Sequence, residues 1–285
     1  MKTYLDCIPC FMEQALRAGR IATNDEKKIK KLLESIGSKI ENIPMNNTPP
    51  ETGDMVYNEV RKITGVYDPF KKIKSTSIRE ALSLYPQLKK IINSSDNRLL
   101  TAVRLSIVGN VIDLGINKQF NIFEELEKII KQDFAILHFE EFTKHLNEAK
   151  SVLYLGDNAG ESVFDKILIE ELRKPVTYVV RDIPVINDVT IKDAIDSGLD
   201  KVAEIISSGS SAPGTILELC NNEFLERFYK ADMVISKGQG NYEGLSNIDR
   251  SVFFLLKAKC RVIANDLNVQ ENDIVLKGIN TKIKF

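Results

Sequence analysis

Hydrophobic and polar positions along the chain change rhythm near residue 146. Beyond that point, short apolar runs alternate with segments whose apolar residues have helical spacing. The runs predict strands at 151–155, 176–181, 202–206 and 233–236, with two further strands at 261–264 and 273–276. The intervening segments predict helices at 162–172, 189–197 and 215–230. Strands that alternate with helices are typical of a parallel sheet covered on both faces. We therefore expect an α/β fold with a mainly parallel sheet in a Rossmann-like three-layer α/β/α arrangement.

The first 145 residues instead show amphipathic spacing. Apolar residues recur every three or four positions, which predicts helices at 11–21, 25–40, 55–63, 78–88, 96–107 and 122–131. The dipeptides Pro49-Pro50 and Asp68-Pro69 predict turns between helices in this half. We therefore expect two parts, a helical N-terminal subdomain at 1–145 packed on a Rossmann-like metal-binding and catalytic domain at 146–285.

Composition and charge narrow the class of protein. The chain has 285 residues and a formal net charge of −1, a balance that argues against a nucleic-acid partner. No apolar run reaches transmembrane length, and the first residues lack the apolar core of a signal peptide. We therefore expect a cytoplasmic protein with no membrane partner. The two histidines, His138 and His145, disfavour a histidine-rich zinc site, and we expect both to be structural or exposed. The sequence indicates no oligomeric state.

Side chains that could bind a metal ion or an anionic substrate lie in the loops that follow four of the predicted strands. Because the carboxyl ends of parallel strands lie at one edge of a sheet, where open α/β sheets bind ligands, we expect these side chains to lie close together. In chain order, the four loops contribute Asp157, Asn158 and Glu161, then Arg181 and Asp188, then Ser208 and Gly209, and finally Lys237.

Oxygen ligands for a hard cation come from the first two loops. Asp157 and Asn158 follow a buried strand, and the neighbouring Gly156 and Gly160 let a ligand approach the backbone closely. Asp188 immediately precedes a predicted helix. Carboxylate and amide oxygens suit Mg²⁺ or Mn²⁺. Each of these polar residues could instead only cap the helix that follows it.

Groups that suit an anionic substrate come from the other positions. Arg181 has a planar fork that matches phosphate, and Lys237 follows a strand with glycines beside it. Ser208 and Gly209 lie in a tract of small residues before a predicted helix start, which is typical of an anion cradle. Each group has an alternative interpretation. Arg181 could form a surface salt bridge, the tract around Ser208 and Gly209 could be a plain flexible loop, and Lys237 could be a solvated lysine. Glu243 could line a substrate pocket or simply belong to the next helix.

The motifs of these loops resemble a known family. The runs Gly-Asp-Asn-Ala-Gly-Glu at 156–161, Ile-Asn-Asp-Val-Thr at 186–190 and Lys-Gly-Gln-Gly-Asn at 237–241 resemble those of the metal-dependent damage-control phosphatases. In the N-terminal half, the run from Asp6 to Cys10 resembles the paired-cysteine start of the short, stand-alone archaeal and bacterial branch. The run from Gly109 to Asp113 resembles a further family motif.

The resemblance implies a fold, an activity and a set of roles. The fold would be a helical part packed on a Rossmann-like sheet. The activity would be that of a metal-dependent phosphomonoester hydrolase acting on small phosphorylated metabolites, such as sugar phosphates or damaged phosphometabolites. Asp157, Asn158 and Asp188 would hold a divalent cation, Mg²⁺ or Mn²⁺, with Ni²⁺ or Co²⁺ as further options. Lys237 would lie near the phosphate and act in catalysis together with Asp157.

The resemblance also implies a contribution from the helical half to the same cleft. Asn110 and Asp113 lie three residues apart in a predicted helix, so they share one face. We expect this face to contact the part of the substrate that is not phosphate. Arg181, Ser208, Gly209 and Glu161 are the further residues that we expect to bind substrate.

The sequence leaves the mechanism and the class of function open. Attack by water and a covalent aspartyl-phosphate on Asp157 are both compatible with these residues. Position 159 is Ala, so an Asp-x-Asp nucleophile motif is missing, which favours water. A binding module for phosphometabolites without hydrolysis is an alternative function. A methyltransferase is another, in which Asp182 would hold a ribose.

The paired cysteines need a separate interpretation. Cys7 and Cys10 have the spacing of half a zinc site or of a redox pair. Because Cys220 and Cys260 are isolated in the sequence, we favour simple packing of the pair at the start of the first helix.

Overall fold

The N-terminal part of the chain is helical in the structure, a computed structural model that describes residues 1–109 and 130–281. Helix starts follow the capping residues. Asp25 accepts hydrogen bonds from the amides of Lys27 and Lys28, and Thr48 forms a capping box with Glu51. The helices before residue 110 are α1 (Cys7–Ala22), α2 (Glu26–Ile40), α3 (Pro49–Thr64), α4 (Lys71–Asn93) and α5 (Arg98–Val108).

The strands within the described residues form one seven-stranded sheet of order β1-β7-β6-β5-β2-β3-β4. Neighbouring strands are parallel except β6 and β7, which are antiparallel. The strands are β1 (Phe134–Leu137), β2 (Val152–Leu155), β3 (Val176–Val180), β4 (Glu204–Ser207), β5 (Met233–Lys237), β6 (Val252–Lys257) and β7 (Ile274–Ile279).

Helices cover both faces of this sheet. No helix in the described part of the chain is long and apolar enough to cross a membrane. Between and after the strands run α6 (Phe139–Glu148), α7 (Ser162–Leu172), α8 (Ile191–Asp196), α9 (Asn222–Lys230), α10 (Gly238–Leu245) and α11 (Arg261–Leu267).

Each face of the sheet has its own hydrophobic core, because successive strand residues point to opposite sides. On one side, helices α4 to α8 cover Val152 and Tyr154 of β2. On the other side, helices α9 to α11 cover Leu153 and Leu155. Helices α4 and α5 therefore belong to a sheet layer, and both they and β1 precede residue 145, where the sequence pattern suggested a division.

Helices α1 to α3 form a separate bundle with a third core. Phe11, Leu32 and Val56 pack there together with Val185, which belongs to the loop after β3. The bundle is thereby fastened to the loop edge of the sheet. It is also close to the loop after β4, since a Cβ atom added to Gly53 would lie 2.7 Å from a side-chain carbon of Pro213.

The structure confirms the mainly parallel three-layer architecture, but several helices and strands differ from the predicted ones. The prediction of a strand at 261–264 was wrong, because the apolar residues there have helical spacing and bury one face of α11. The helix predicted from residue 215 begins only at Asn222, where the Asn221 side chain caps it. Strands β1 and β6 and helix α6 were not predicted. Most of the helix predicted at 122–131 lies outside the described residues.

A buried lysine connects α4 to α8. Lys74 is 2% exposed, and its Nζ donates a hydrogen bond to Asp193 Oδ2 over 2.8 Å. The same Nζ lies 3.0 Å from Asp68 Oδ2. Asp193 also accepts from Thr190 in the capping box that starts α8. The positive charge of Lys74 thus offsets the negative charges of Asp68 and Asp193 where α4 meets α8.

We predict that Lys74→Met lowers the free energy of unfolding by about 3 kcal/mol, because removing one partner of a buried ion pair leaves uncompensated charge. Equilibrium unfolding in urea measures this change. The control is Lys72→Met, two residues away on the exposed side of α4, which should alter stability little. Equal unfolding midpoints for the two variants would contradict the structural role of Lys74.

Candidate functional site

A cavity of about 470 Å³ lies between the α1–α3 bundle and the carboxyl ends of the strands. Its volume is that of a pocket for a small metabolite. Both halves of the chain supply its walls. The lining includes Cys10, Gln14 and Arg17 of α1, Tyr57 of α3, Asp157, Asn158 and Asp188 of the strand-end loops, Gln239 and Glu243 of α10, and Lys259 to Arg261.

The sheet topology explains why the cavity forms at this place. From β2 the chain continues to β3 and β4 on one side, whereas β5 and β6 lie on the other side of β2. Such a reversal opens a crevice at the carboxyl ends of the two central strands. Asp157 follows β2 and Gly238 follows β5, so both lie at this crevice. Gly238 has a φ of 78°, and a Cβ atom there would lie 2.0 Å from Asp157 Oδ2. Glycine is therefore required by the backbone and by the close approach.

The structure brings Asp157, Asn158 and Asp188 together in the wall of the cavity. Asn158 and Asp188 pair across an isolated β-bridge. The Asn158 Nδ2 donates to Asp157 Oδ2 over 3.0 Å, and the Val189 amide donates to the Asp157 carbonyl oxygen over 2.8 Å. Ile186, two residues before Asp188, has a φ of 43°, which is unfavourable for a β-branched residue. The loop after β3 thus stores backbone strain next to the candidate site.

A buried guanidinium holds Asp188 in place. Arg181 is 1% exposed, and its Nε donates to Asp188 Oδ2 over 2.9 Å. Its Nη2 donates to Asn241 Oδ1 over 2.9 Å. Asn241 in turn donates to the carbonyl oxygens of Gly156 and Lys237. Arg181 is therefore a structural partner of Asp188, and the expectation that it binds phosphate is corrected, because its guanidinium lies inside the protein.

Burial raises the pKa of Asp188 to about 7. The Arg181 guanidinium opposes this rise, and the negative charge of Asp157 adds to it. Asp188 therefore lies in a region where negative charge is in excess. A cation bound between the two carboxylates would relieve that excess.

Lys237 lies in a second buried cluster, which corrects its expected contact with phosphate. Its Nζ donates to the Ser106 carbonyl oxygen over 2.8 Å, to Asp165 Oδ1 over 2.7 Å, and to Glu161. The side chains of Lys237, Glu161 and Asp165 are all fully buried. An ammonium has three donors, and these three acceptors use them. Lys237 therefore neutralises carboxylates beneath the site and does not line the cavity.

Glu161 also differs from its expected role as a substrate-binding residue. Besides its ion pair with Lys237, its Oε2 lies 3.4 Å from the Asn158 amide nitrogen and 3.5 Å from Asn158 Nδ2. Burial raises the pKa of Glu161, and the Lys237 ammonium opposes the rise. Glu161 thus connects the Lys237 cluster to the loop that carries Asn158.

The loop after β4 is not the anion cradle that was expected of Ser208 and Gly209. The Gly209 amide donates to the Ser207 hydroxyl, and the Ser210 amide donates to the Ser208 hydroxyl. The loop's own side chains thus occupy the amides that an anion would need. No helix begins at residue 215 to supply further amides, since α9 begins at Asn222.

The remaining predictions concern Asn110 and Asp113 of the helical half and the two histidines. Asn110 and Asp113 lie outside the described residues. His145 Nε2 lies 2.9 Å from the Thr281 carbonyl oxygen, and His138 Nδ1 accepts from the Gly278 amide over 3.2 Å, so both histidines have structural partners.

The cysteines are closer to the site than the sequence indicated. Cys7 and Cys10 lie in the first turns of α1, and together with Cys260 they line the cavity. Cys10 is exposed, so the expected packing does not describe it. Cys10 is accessible at the cavity wall, but the surrounding protein atoms displace water from its thiol and from that of Cys7 and raise the pKa of both. This disfavours the thiolate form that soft metals and redox chemistry require.

Residues that the motifs did not reveal complete the cavity. Arg17, Lys259 and Arg261 place positive charge in its walls. Arg17 lies two turns of α1 after Cys10, outside the quoted motifs, and the other two residues follow β6, a strand that was not predicted. In the sequence, the two basic residues on either side of Cys260 are only a weak signal for Lys259 and Arg261, and no signal marks Arg17.

The donor set of the site fits a hard divalent cation. Two carboxylates and one amide would supply oxygen ligands, which is the chemistry that Mg²⁺ and Mn²⁺ prefer. Asn158 Nδ2 faces Asp157 and Glu161, so the amide oxygen is turned to the other side. Within residues 1–109 and 130–281, no group of three His, Cys, Asp or Glu side chains is placed to hold a metal. The amide oxygen of Asn158 would therefore be needed as a ligand.

Comparison with known proteins agrees with this fold. The family model described as the damage-control phosphatase ARMT1-like domain matches residues 3–275. The chain is 36% identical to damage-control phosphatase PH1575 of Pyrococcus horikoshii, over 96% of this chain and 97% of that protein. It is 34% identical to a damage-control phosphatase of Archaeoglobus fulgidus, over 96% of this chain and 98% of that protein.

A solved structure is similar over the same extent. The crystal structure of the DUF89 family protein PH1575 from Pyrococcus horikoshii superposes with a TM-score of 0.91, at 35% sequence identity, over 97% of this chain and 98% of that one. Sequence and fold therefore agree along nearly the whole length, and the chain belongs to the ARMT1-like damage-control phosphatase family.

Proposed function

We propose that this protein is a divalent-metal-dependent phosphatase that hydrolyses monoesters of small phosphorylated metabolites. The observation that carries the proposal is the meeting of Asp157, Asn158 and Asp188 at the crevice between β2 and β5, beside a cavity of about 470 Å³. The relatives named damage-control phosphatases support the reaction class. The size of the cavity favours a small substrate over a protein or a nucleic acid.

Each residue of the site has a task in this proposal. Asp157, Asn158 and Asp188 would hold the cation, which would neutralise phosphate charge and stabilise the charge that develops during transfer. Arg181 keeps the Asp188 carboxylate in its orientation through the bond from Nε. Lys237 keeps Glu161 in place, and Glu161 lies against the Asn158 amide. Arg181 and Lys237 therefore act as positioning residues.

The walls of the cavity would attract and orient an anionic substrate. Arg17 approaches from α1, and Lys259 and Arg261 approach from the segment between β6 and α11. Positive charge in a cleft with low-dielectric walls raises the local concentration of anions. We propose that these side chains contact the phosphate ester or a second anionic group of the substrate.

We predict that the purified protein releases inorganic phosphate from phosphorylated metabolites when Mn²⁺ or Mg²⁺ is present. The measurement is a screen of sugar phosphates and related esters against a panel of divalent cations. Chelation by EDTA should abolish the release, and adding the cation again should restore it. Activity that is unchanged by EDTA would contradict metal dependence, and no hydrolysis of any ester with any cation would contradict the phosphatase proposal.

We predict that Asp188→Asn weakens cation binding and lowers turnover, each by at least about 10–100-fold, because it removes a charged ligand. Titration calorimetry with Mn²⁺ and phosphate release measure the two effects. The matched control is Asp182→Asn, in the same loop but exposed, which should leave both quantities near the wild-type values. Similar losses in the two variants would show that Asp188 has no special role.

We predict that cation affinity rises as the pH rises from about 6 to 8. The reason is the raised pKa of Asp188, about 7, because a protonated carboxyl must lose its proton before it can bind a cation. Binding at pH 6 should therefore release protons. Calorimetry in two buffers with different ionisation enthalpies detects this release without any activity assay. A cation affinity that is constant over this range, with no proton release, would contradict the assignment.

A further inference from the structure

Glu243 is a carboxyl group of the cavity that the proposed cation site does not use. It lies on α10, which begins directly after β5, and its half-buried side chain lines the same cavity as Asp157 and Asp188. The charge of Asp157 contributes to the pKa of Glu243, so the two carboxyl groups are within electrostatic reach of each other. Glu243 thus faces the space where a phosphate ester would lie.

A neutral side chain orients the Glu243 carboxyl group. Its Oε1 accepts a hydrogen bond from the neutral amide of Gln239 over 2.9 Å. Gln239 is itself fixed, because its Oε1 accepts from the Lys259 amide over 3.1 Å. The Met1 ammonium donates to the backbone carbonyl oxygen of Glu243 over 3.0 Å and anchors this turn of α10. Among the described residues, no side-chain cation forms a salt bridge with the Glu243 carboxylate.

The other acidic groups of the region have different surroundings. Asp188 is paired with Arg181, and Glu161 is paired with Lys237. Asp6 also lines the cavity but is exposed. Asp157 accepts from the neutral Asn158 amide but is assigned to the cation. Outside the proposed cation site, Glu243 is therefore the cavity carboxyl that combines partial burial with an orienting neutral partner, which are the properties of a proton donor.

The charges around Glu243 set its protonation. Burial raises its pKa to about 7, the Gln239 bond and the Met1 ammonium lower it, and the Asp157 charge raises it. From α1, the Cys7 and Cys10 thiols face it, and Lys259 and Arg261 line the same cavity. A carboxyl group with such a pKa can donate a proton near neutral pH and regain it from solvent.

We propose that Glu243 is the general acid that protonates the leaving alcohol of the phosphate ester, an inference that rests on the proposed phosphatase function. In this step, the oxygen of water forms a bond to phosphorus while the bond between phosphorus and the alcohol oxygen breaks. The electron pair of that bond stays on the alcohol oxygen, which takes the proton of the Glu243 carboxyl. The attacking water releases one proton to solvent, and solvent returns one proton to Glu243, so the products are the alcohol and inorganic phosphate.

The test compares two substrates in Glu243→Gln, because a general acid matters only when the leaving group is basic. One substrate is the sugar phosphate that the wild type hydrolyses best in the screen, and the other is 4-nitrophenyl phosphate, whose alcohol leaves as a stable phenolate. We expect turnover of the sugar phosphate to fall by about 10²–10⁴-fold and turnover of the aryl ester to fall far less. Equal falls for both esters, or no fall for either, would overturn the proposal.

Controls separate this inference from the function on which it rests. Glu226→Gln, an exposed position on α9, should leave both rates unchanged. A wild type that hydrolyses no ester would refute the phosphatase proposal itself. An active wild type whose Glu243→Gln variant keeps its preference between the two esters would refute only the role of Glu243.

A measurement on the unmodified enzyme covers the case in which Glu243→Gln does not fold. The turnover number of the wild type for the sugar phosphate should fall on the alkaline side as the general acid loses its proton. The turnover number for the aryl ester should lack that alkaline fall. The same alkaline fall for both esters would overturn the proposal without any variant.

Discussion

The hydrogen bonds that Arg181 and Asn241 make with each other and with their neighbours connect all four loops at the carboxyl edge of the sheet. Arg181 belongs to the loop after β3 and holds Asp188, while Asn241 belongs to α10 after β5. Asn241 also bonds to the carbonyl oxygen of Gly156 after β2 and accepts from Thr215, which follows β4. Buried polar groups are costly unless their partners are in place, so each loop is held in the position that the others require. These bonds therefore fix the positions of the four loops relative to one another.

The same network leaves the crevice with more buried acids than buried bases. Within the described residues of this region, the buried acids are Asp157, Glu161, Asp165, Asp188 and Asp193, and the buried cations that face them are Lys74, Arg181 and Lys237. Burying excess charge is unfavourable, which is why burial raises the pKa of Asp188. A divalent cation would restore the balance. In the proposed function, the unfavourable excess of buried negative charge would favour the binding of a cation.

Sequence reasoning located the loops and misjudged the direction of their side chains. Alternating strands and helices identified the edge that carries Asp157 and Asp188, because that pattern is local. Lys237 and Arg181 were expected to face a substrate. Lys237 is instead bonded to Glu161 and Asp165, which are far away in sequence, and Arg181 is bonded to Asp188 of its own loop and to the distant Asn241. A strand at 261–264 was a wrong reading of a short apolar run, for which strand and helix periods are hard to distinguish. The cavity walls from α1 and α11 depend on how the bundle docks, which no local pattern encodes.

Anomalous diffraction from crystals soaked in Mn²⁺ tests the central claim most directly, because it locates the cation without relying on activity. We predict one strong peak at the crevice between β2 and β5, within about 2.5 Å of oxygen atoms of Asp157, Asn158 and Asp188. In crystals of Asp188→Asn the peak should weaken or vanish. A peak at the cysteines of the cavity, or no peak near Asp157 at a saturating Mn²⁺ concentration, would contradict the assignment of these three residues as the cation site.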